Sequence, residues 1–243
     1  MTLQGRAALV TGAAKRLGRA LAVALAQRGV SVGIHYDRSR AEAEELAQGL
    51  AASYGIRAAA LRADLAEAGS CRRLIEEADD ALGRLDILVN NASIYERTPF
   101  ETVCARDWDR HLNINLRAPF LLSQAAAPHL RKRRGAIINL ADWSAHRPYA
   151  DYIPYCVSKA ALLCLNAALA KKLSPEIRVN AILPGPVLLP ETISGPQRQS
   201  IRRATLLQKL GTPDEVVKAA LYLLESDFVT GAELAVDGGR LIA

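Results

Sequence analysis

Apolar residues fall in short, nearly unbroken runs along this chain. Each run is followed by a longer stretch in which they recur every three or four positions. The runs at 7–11, 31–36, 56–62, 86–90, 135–140, 177–183 and 233–236 are rich in Val, Ile, Leu and Ala. Continuous rather than alternating runs predict strands covered on both faces. Helical spacing fills the intervals 17–28, 39–53, 67–82, 105–131, 150–173, 197–208 and 213–225. Strand and helix alternate with no internal repeat, so the predicted class is α/β. The expected architecture is a doubly wound parallel sheet of about seven strands with helices on both faces. The one long irregular segment, 184–196, follows a strand, where open α/β sheets bind ligands, and reads as a substrate-covering loop.

A chain of 243 residues with half of them apolar is expected to form one domain, 1–243. No basic and apolar leader precedes the first strand, and no continuous apolar run approaches the ~18 residues that a bilayer span needs. The four cysteines are scattered without CxxC pairs. A cytoplasmic protein with reduced thiols, no metal site and no membrane partner is therefore the expectation. The net charge of +6 raises the question of nucleic acid. Its densest run, Arg131-Lys132-Arg133-Arg134, falls where a helix should end before Gly135. The helix dipole favours cations there, and no aromatics interleave them, so no nucleic-acid partner is expected.

The first strand runs into Thr11-Gly12-Ala13-Ala14-Lys15-Arg16-Leu17-Gly18, which opens a helix. Glycines suit a tight turn and a close approach of backbone to pyrophosphate, and the helix N-terminus supplies N–H groups for the anion. Further on, Tyr155-Cys156-Val157-Ser158-Lys159 reads YxxxK at the start of a long helical pattern. Four residues apart on a helix, the phenol and the ammonium project from one face. An unperturbed phenol is a weak acid, with a pKa near ~10. A neighbouring ammonium is expected to lower that value and make Tyr155 a proton donor.

These motifs carry a resemblance to the short-chain dehydrogenase/reductase family over essentially the whole chain. The matching segments are TGAAKRLG at 11–18, Asp64-Leu65, Asn90-Asn91-Ala92-Ser93, Asn115, YCVSK at 155–159, Ile177-Arg178-Val179-Asn180, Pro184-Gly185, Thr230-Gly231 and Asp237-Gly238-Gly239. The resemblance implies a Rossmann fold with a nucleotide-binding half at about 1–95 and a catalytic and substrate half at about 96–243. It implies that Gly12, Leu17, Gly18, Leu65, Ser93, Pro184 and Gly185 border the cofactor, with Lys159 on its nicotinamide ribose. Asp64 would contact the adenine, Asn91 and Ala92 would line the cleft, and Asn115 would hold a water leading from Lys159 to solvent. A homotetramer with helices 105–131 and 150–173 at one interface is also implied.

Within the family the chain is most similar to pteridine reductases and dihydromonapterin reductases. The closer likeness rests on Arg16 in KRLG, His35-Tyr36-x-Arg38-Ser39, the aromatic Tyr95 after NNAS, and Asp142. Asp142 stands thirteen residues before Tyr155, where the family usually carries serine. Tyr95 would stack on a pterin ring, with Arg16, Ser93, Trp143, Pro186 and Leu188 also bordering substrate, and Leu189 and Pro190 walling it from the loop. NAD-specific members place a carboxylate at the end of the second strand. Here Tyr36 stands there, with Lys15, Arg16, Arg38 and Ser39 able to reach a 2′-phosphate, so the expected cofactor is NADPH despite Asp37.

A serine hydroxyl donates to a carbonyl oxygen, whereas an ionised carboxylate only accepts. Reduction of a protonated C=N passes through a cationic centre that Asp142 would stabilise. An ionised Asp142 that orients Tyr155 is expected, with Lys159 holding it ionised, and Ser144 is the alternative occupant of the serine role. The leading expectation is therefore an NADPH-dependent reductase of a small molecule, a dihydropterin or dihydrofolate, through Asp142, Tyr155, Lys159 and Asn115. A 3-oxoacyl-thioester or other carbonyl reductase is the first alternative. A non-catalytic NADP(H)-binding regulator is the second, disfavoured because a sensor needs no proton relay.

Overall fold

A computed structural model of the chain describes residues 1–189 and 193–243. Seven strands form one all-parallel sheet: β1 Ala7–Val10, β2 Ser31–Tyr36, β3 Ala58–Arg62, β4 Ile87–Asn90, β5 Ala136–Leu140, β6 Arg178–Pro184 and β7 Glu233–Val236. Their order across the sheet is β3-β2-β1-β4-β5-β6-β7. The helices are α1 Arg16–Gln27, α2 Arg40–Tyr54, α3 Ala68–Leu82, α4 Ala105–Leu112, α5 Ala118–Arg133, α6 Ile153–Leu173, α7 Gly195–Arg203 and α8 Pro213–Glu225. One core packs α1, α2 and α8 against the sheet, and a second packs α3, α5 and α6 against the other face. Coverage on both sides is why every residue of β1, β4 and β5 is buried and why their sequences show no polar alternation.

The strand order reverses between β1 and β4, which opens a crevice at their carboxyl ends. The loops after β1, β4, β5 and β6 all empty into it, and they carry Gly12, Asn91, Asp142 and Gly185.

Three elements depart from expectation. The segment predicted as one helix, 105–131, is α4 and α5 joined by a wide π turn at Asn113–Arg117. Asn115 is the buried residue of that turn. Its Oδ1 accepts from Ile94 N at 2.9 Å and its Nδ2 donates to Ile94 O and to Ser158 Oγ, both at 3.0 Å. These long-range bonds turn the amide inward at a widened turn, which periodicity alone does not reveal. Helix α7 ends at Arg203 rather than 208, because the Thr205 hydroxyl bonds the carbonyl of Arg202 at 2.9 Å and accepts from Lys209 N at 3.2 Å. Such local side-chain bonds compete with helix continuation. Finally, Ala150–Leu173 holds an 18-residue window with a mean hydropathy of 1.5, long and apolar enough to meet a bilayer-span criterion. Half of that window is buried, and α6 carries the buried polar residues Ser158, Lys159 and Asn166. It is a core helix of this fold.

Candidate active site

The turn after β1 is shaped for close approach. Gly12 holds a left-handed φ of +62, and a Cβ there would meet Ala92 Cα at 3.1 Å. A Cβ at Gly18 would lie 2.3 Å from Gly12 O and 2.6 Å from Asn91 Nδ2. Asn91 Nδ2 donates to Thr11 O at 2.7 Å, and the Thr11 hydroxyl accepts from Asn91 N and Ala92 N, each at 2.9 Å. Loop and helix are thereby clamped to β4. Arg16, the first residue of α1, holds φ +53, a conformation that non-glycine residues adopt at a cost and that clusters at functional sites. Its Nη2 donates to Leu188 O at 2.7 Å, which ties the nucleotide turn to the segment 185–189 after β6.

Lys15, Arg16, Leu17, Gly18, Asp64, Leu65, Asn91, Ala92 and Ser93 line one continuous cleft with Gly12. Tyr36, Arg38 and Ser39 line its outer end. The cations expected at a 2′-phosphate are not free: Lys15 pairs with Glu42 at 2.7 Å and Arg38 with Asp37 at 3.3 Å. Both pairs are solvent-exposed, where such pairs contribute little, so a phosphate can exchange for either carboxylate. Arg110 also borders this end. Sequence spacing missed it because α4 comes from the other half of the chain.

His35 was also missed as a site residue. Its Nδ1 accepts from Gly12 N at 2.9 Å and its Nε2 lies 3.1 Å from Ala63 O, a pattern that needs the neutral ring with hydrogen on Nε2. Burial lowers its pKa to about 4, so the neutral ring persists through the physiological range and holds the glycine turn.

Substitution Gly18→Ala tests this clamp. The added methyl has backbone on one side and Asn91 on the other. We expect a loss of ~1–3 kcal/mol of stability and weaker protection by NADPH in thermal unfolding. Unchanged protection would show that the loop opens without cost.

At the carboxyl end of β5, Asp142 caps a 3-10 turn at Trp143–Ala145, its Oδ1 accepting from Ser144 N at 2.8 Å. The other carboxylate oxygen accepts from the Tyr155 hydroxyl at 3.0 Å. Asp142 therefore occupies the position facing the phenol, and Ser144 Oγ is buried without a hydrogen-bond partner among the described residues. Lys159 is buried and donates to Leu140 O at 2.8 Å. Its ammonium lies 5.7 Å from the centre of the Tyr155 ring.

Two electrostatic expectations are corrected. Tyr155 is pushed well above the usual phenol range, by burial first and by the Asp142 charge second. Lys159 bonds a carbonyl instead of the phenol, and the adjacent carboxylate outweighs it. Asp142 is likewise pushed above the ordinary carboxylate range, because burial outweighs the bond from Ser144 N, the Lys159 charge and the bond from Tyr155. Burial lowers Lys159 to about 8, against the opposing pull of Asp142. The trio is a phenol held protonated, a carboxyl with raised proton affinity and an ammonium close to its titration range. Asn115 reaches this trio only through Ser158, whose hydroxyl donates to Tyr155 O at 2.6 Å.

The substrate side of the cleft is lined by Arg16, Ser93, Tyr95, Asp142, Trp143, Tyr155 and Lys159, and opposite them by Pro184 through Leu189. Pro190 lies outside the described residues. Tyr95 stacks on Tyr152, with centroids 4.5 Å apart and planes at 7°, and meets Tyr155 edge-on at 4.8 Å. One face of Tyr95 is thus already covered by Tyr152. Tyr149 and Tyr152, which complete this aromatic wall, carry no local motif and were not identified from sequence.

The chain matches the family model described as Enoyl-(Acyl carrier protein) reductase over residues 12–240. It is 34% identical to the granaticin polyketide synthase putative ketoacyl reductase 2 of Streptomyces violaceoruber, covering 96% of this chain and 94% of that one. Among solved structures, it is similar to a blue fluorescent protein from a metagenomic library in complex with NADPH, with a TM-score of 0.92, 34% identity and 99% of each chain covered. It is also similar to FolM Alternative dihydrofolate reductase 1 from Brucella canis complexed with NADP, with a TM-score of 0.93 and 33% identity, covering 100% of this chain and 96% of that one.

Proposed function

Since this chain belongs to the short-chain dehydrogenase/reductase family, we propose that it is an NADPH-dependent reductase of a C=N bond in a pterin such as a dihydropterin or dihydrofolate. NADPH is the cofactor, and when bound it supplies hydride from its nicotinamide. Gly12, Gly18 and the N-terminus of α1 form the turn that its pyrophosphate would rest on, a turn that closes because a Cβ at either glycine would collide with Ala92, Asn91 or the Gly12 carbonyl. Lys15, Arg38 and Ser39 line the end of the cleft that would take its 2′-phosphate, whereas Arg16, expected there too, turns its guanidinium to Leu188 O on the substrate side.

The observation that carries the reading is the bond from the Tyr155 hydroxyl to Asp142. Tyr155 gives its proton to the ring nitrogen, and Asp142 compensates the charge on each side of that step. As a carboxylate it stabilises the protonated C=N. After hydride transfer the phenolate regains its proton from solvent, so each turnover consumes one hydride and one proton. Lys159 balances the trio, and Tyr95, which lines the same cleft, borders the ring. The likeness to FolM supports the same reading.

A carbonyl reductase is the second reading, favoured by the ketoacyl reductase relative. Its donor to the substrate oxygen would be the Tyr155 hydroxyl, because Ser144 is fully buried and does not line the substrate side of the cleft. Following NADPH absorbance against dihydrobiopterin, dihydromonapterin, dihydrofolate and an acetoacetyl thioester separates the two. We expect turnover of at least one pterin and little of the thioester, and the reverse result would select the carbonyl reading.

The rate should also depend on pH in a defined direction. Lys159 is charged below about 8 and neutral above it, so pterin reduction is expected to fall as pH rises through that value. The limb belongs to the coupled trio. Removing the Asp142 charge, which supports the ammonium, should move it to lower pH in the rate profile of Asp142→Ser.

A cytoplasmic homotetramer is the state we propose for the protein. The unpaired cysteines support the reducing compartment, and exposed Phe120 on α5 and Val157 on α6 support self-association through these helices.

A further inference from the structure

The far wall of the cleft carries a cation that the chemistry above leaves unused. Asp237-Gly238-Gly239 forms a tight turn in which the two glycines hold φ of +64 and +80. The Asp237 carboxylate accepts from Gly239 N at 2.9 Å and from Leu241 N at 2.6 Å. This turn presents half-buried Arg240 to the cleft beside Trp143. The guanidinium carbon lies 5.1 Å from the centre of the Trp143 ring, and Nη1 donates to Ala204 O at 2.9 Å. Among the described residues no carboxylate pairs with Arg240. The other cations of the substrate cleft are bonded to backbone, Lys159 to Leu140 O and Arg16 to Leu188 O. With one face of the guanidinium on an indole and Nη1 bonded to a carbonyl, the edge formed by Nε and Nη2 keeps its N–H groups. That edge is the fork that binds carboxylate and phosphate in bidentate fashion.

We infer that Arg240 is a specificity-determining residue that receives an anionic group, a carboxylate or a phosphate, on the side chain of the ring held by Asp142 and Tyr155. The inference rests on the pterin reading. Asp142 and Arg240 flank Trp143, so the cleft offers negative charge where the ring is protonated and positive charge where its side chain leaves. A neutral side chain would leave the guanidinium fork unmatched in a partly desolvated cleft.

Steady-state kinetics of the NADPH-loaded enzyme test this with dihydrobiopterin, whose side chain is uncharged, dihydrofolate, which carries carboxylates, and phosphorylated dihydroneopterin. In Arg240→Gln, KM for an anionic substrate should rise by about 10- to 100-fold and KM for dihydrobiopterin by less than about threefold, with kcat little altered. Arg240→Lys should restore part of the loss. The anion with the larger loss identifies whether carboxylate or phosphate is the ligand. Equal losses on all three substrates, or a wild-type enzyme that reduces only dihydrobiopterin, would overturn the inference and leave the pterin reading standing. A wild-type enzyme that reduces none of the three removes the pterin reading, and this inference with it.

Discussion

Replacing Tyr155 with phenylalanine is expected to lower turnover of every substrate by about 10²- to 10⁴-fold, the usual contribution of a positioned proton donor. The phenol lines the substrate side of the cleft, and burial together with Asp142 keeps it protonated. Phenylalanine preserves the edge-on contact with Tyr95 and removes only the hydroxyl. Cofactor affinity, followed by quenching of protein fluorescence or by thermal shift, should hold. The same substitution leaves Asp142 without the bond from Tyr155, so its pH-rate behaviour cannot be carried over from the wild type. A variant that retains turnover within an order of magnitude would show that the proton comes from elsewhere, with Asp142 the nearest candidate.

The second large effect is expected for Asp142→Ser, which installs the residue usual in the family. A carboxylate ~5 Å from a protonated ring nitrogen, at an effective dielectric of ~20, interacts with it by ~3 kcal/mol. That corresponds to about two decades in rate. Pterin reduction should therefore fall by about 100-fold, while NADPH affinity changes little because Asp142 is not on the nucleotide side. The sign is opposite for a developing alkoxide, which the carboxylate repels and a hydroxyl supports. Any activity toward an acetoacetyl thioester should accordingly rise in Asp142→Ser. The two substrates moving in opposite directions separates an electrostatic role for Asp142 from a merely structural one, since loss of the Ser144 cap would depress both. Equal pterin turnover in the two enzymes would sink the electrostatic account.

Much of the fold was legible because its central strands are covered on both faces. A run such as Ala136-Ile137-Ile138-Asn139-Leu140, every residue of it buried, leaves no polar face to be read differently. The matched segments also stand in an order that only one arrangement of strands brings together. The nucleotide turn, YxxxK and the replacement of serine by Asp142 were legible for the same reason: each is a local pattern on one element.

What stayed hidden depends on groups far apart in sequence. The π turn at Asn113–Arg117 is unremarkable in periodicity, and Asn115 is directed inward by Ile94 and Ser158. His35 looks like a strand residue until Gly12 N is found bonded to its ring. Tyr149 and Tyr152 join the aromatic wall, and Arg240 reaches Trp143, only once the loops after β4, β5 and β7 meet.

By itself, then, the chain determined the parallel sheet, the glycine turn and which three side chains stand together, since these follow from spacing along single strands and helices. The tertiary structure alone decided their protonation. Burial raised Asp142 and Tyr155 and lowered Lys159, against the expectation that adjacent lysine would dominate. Desolvation is a property of everything packed around a group, and no stretch of sequence near Asp142 contains it.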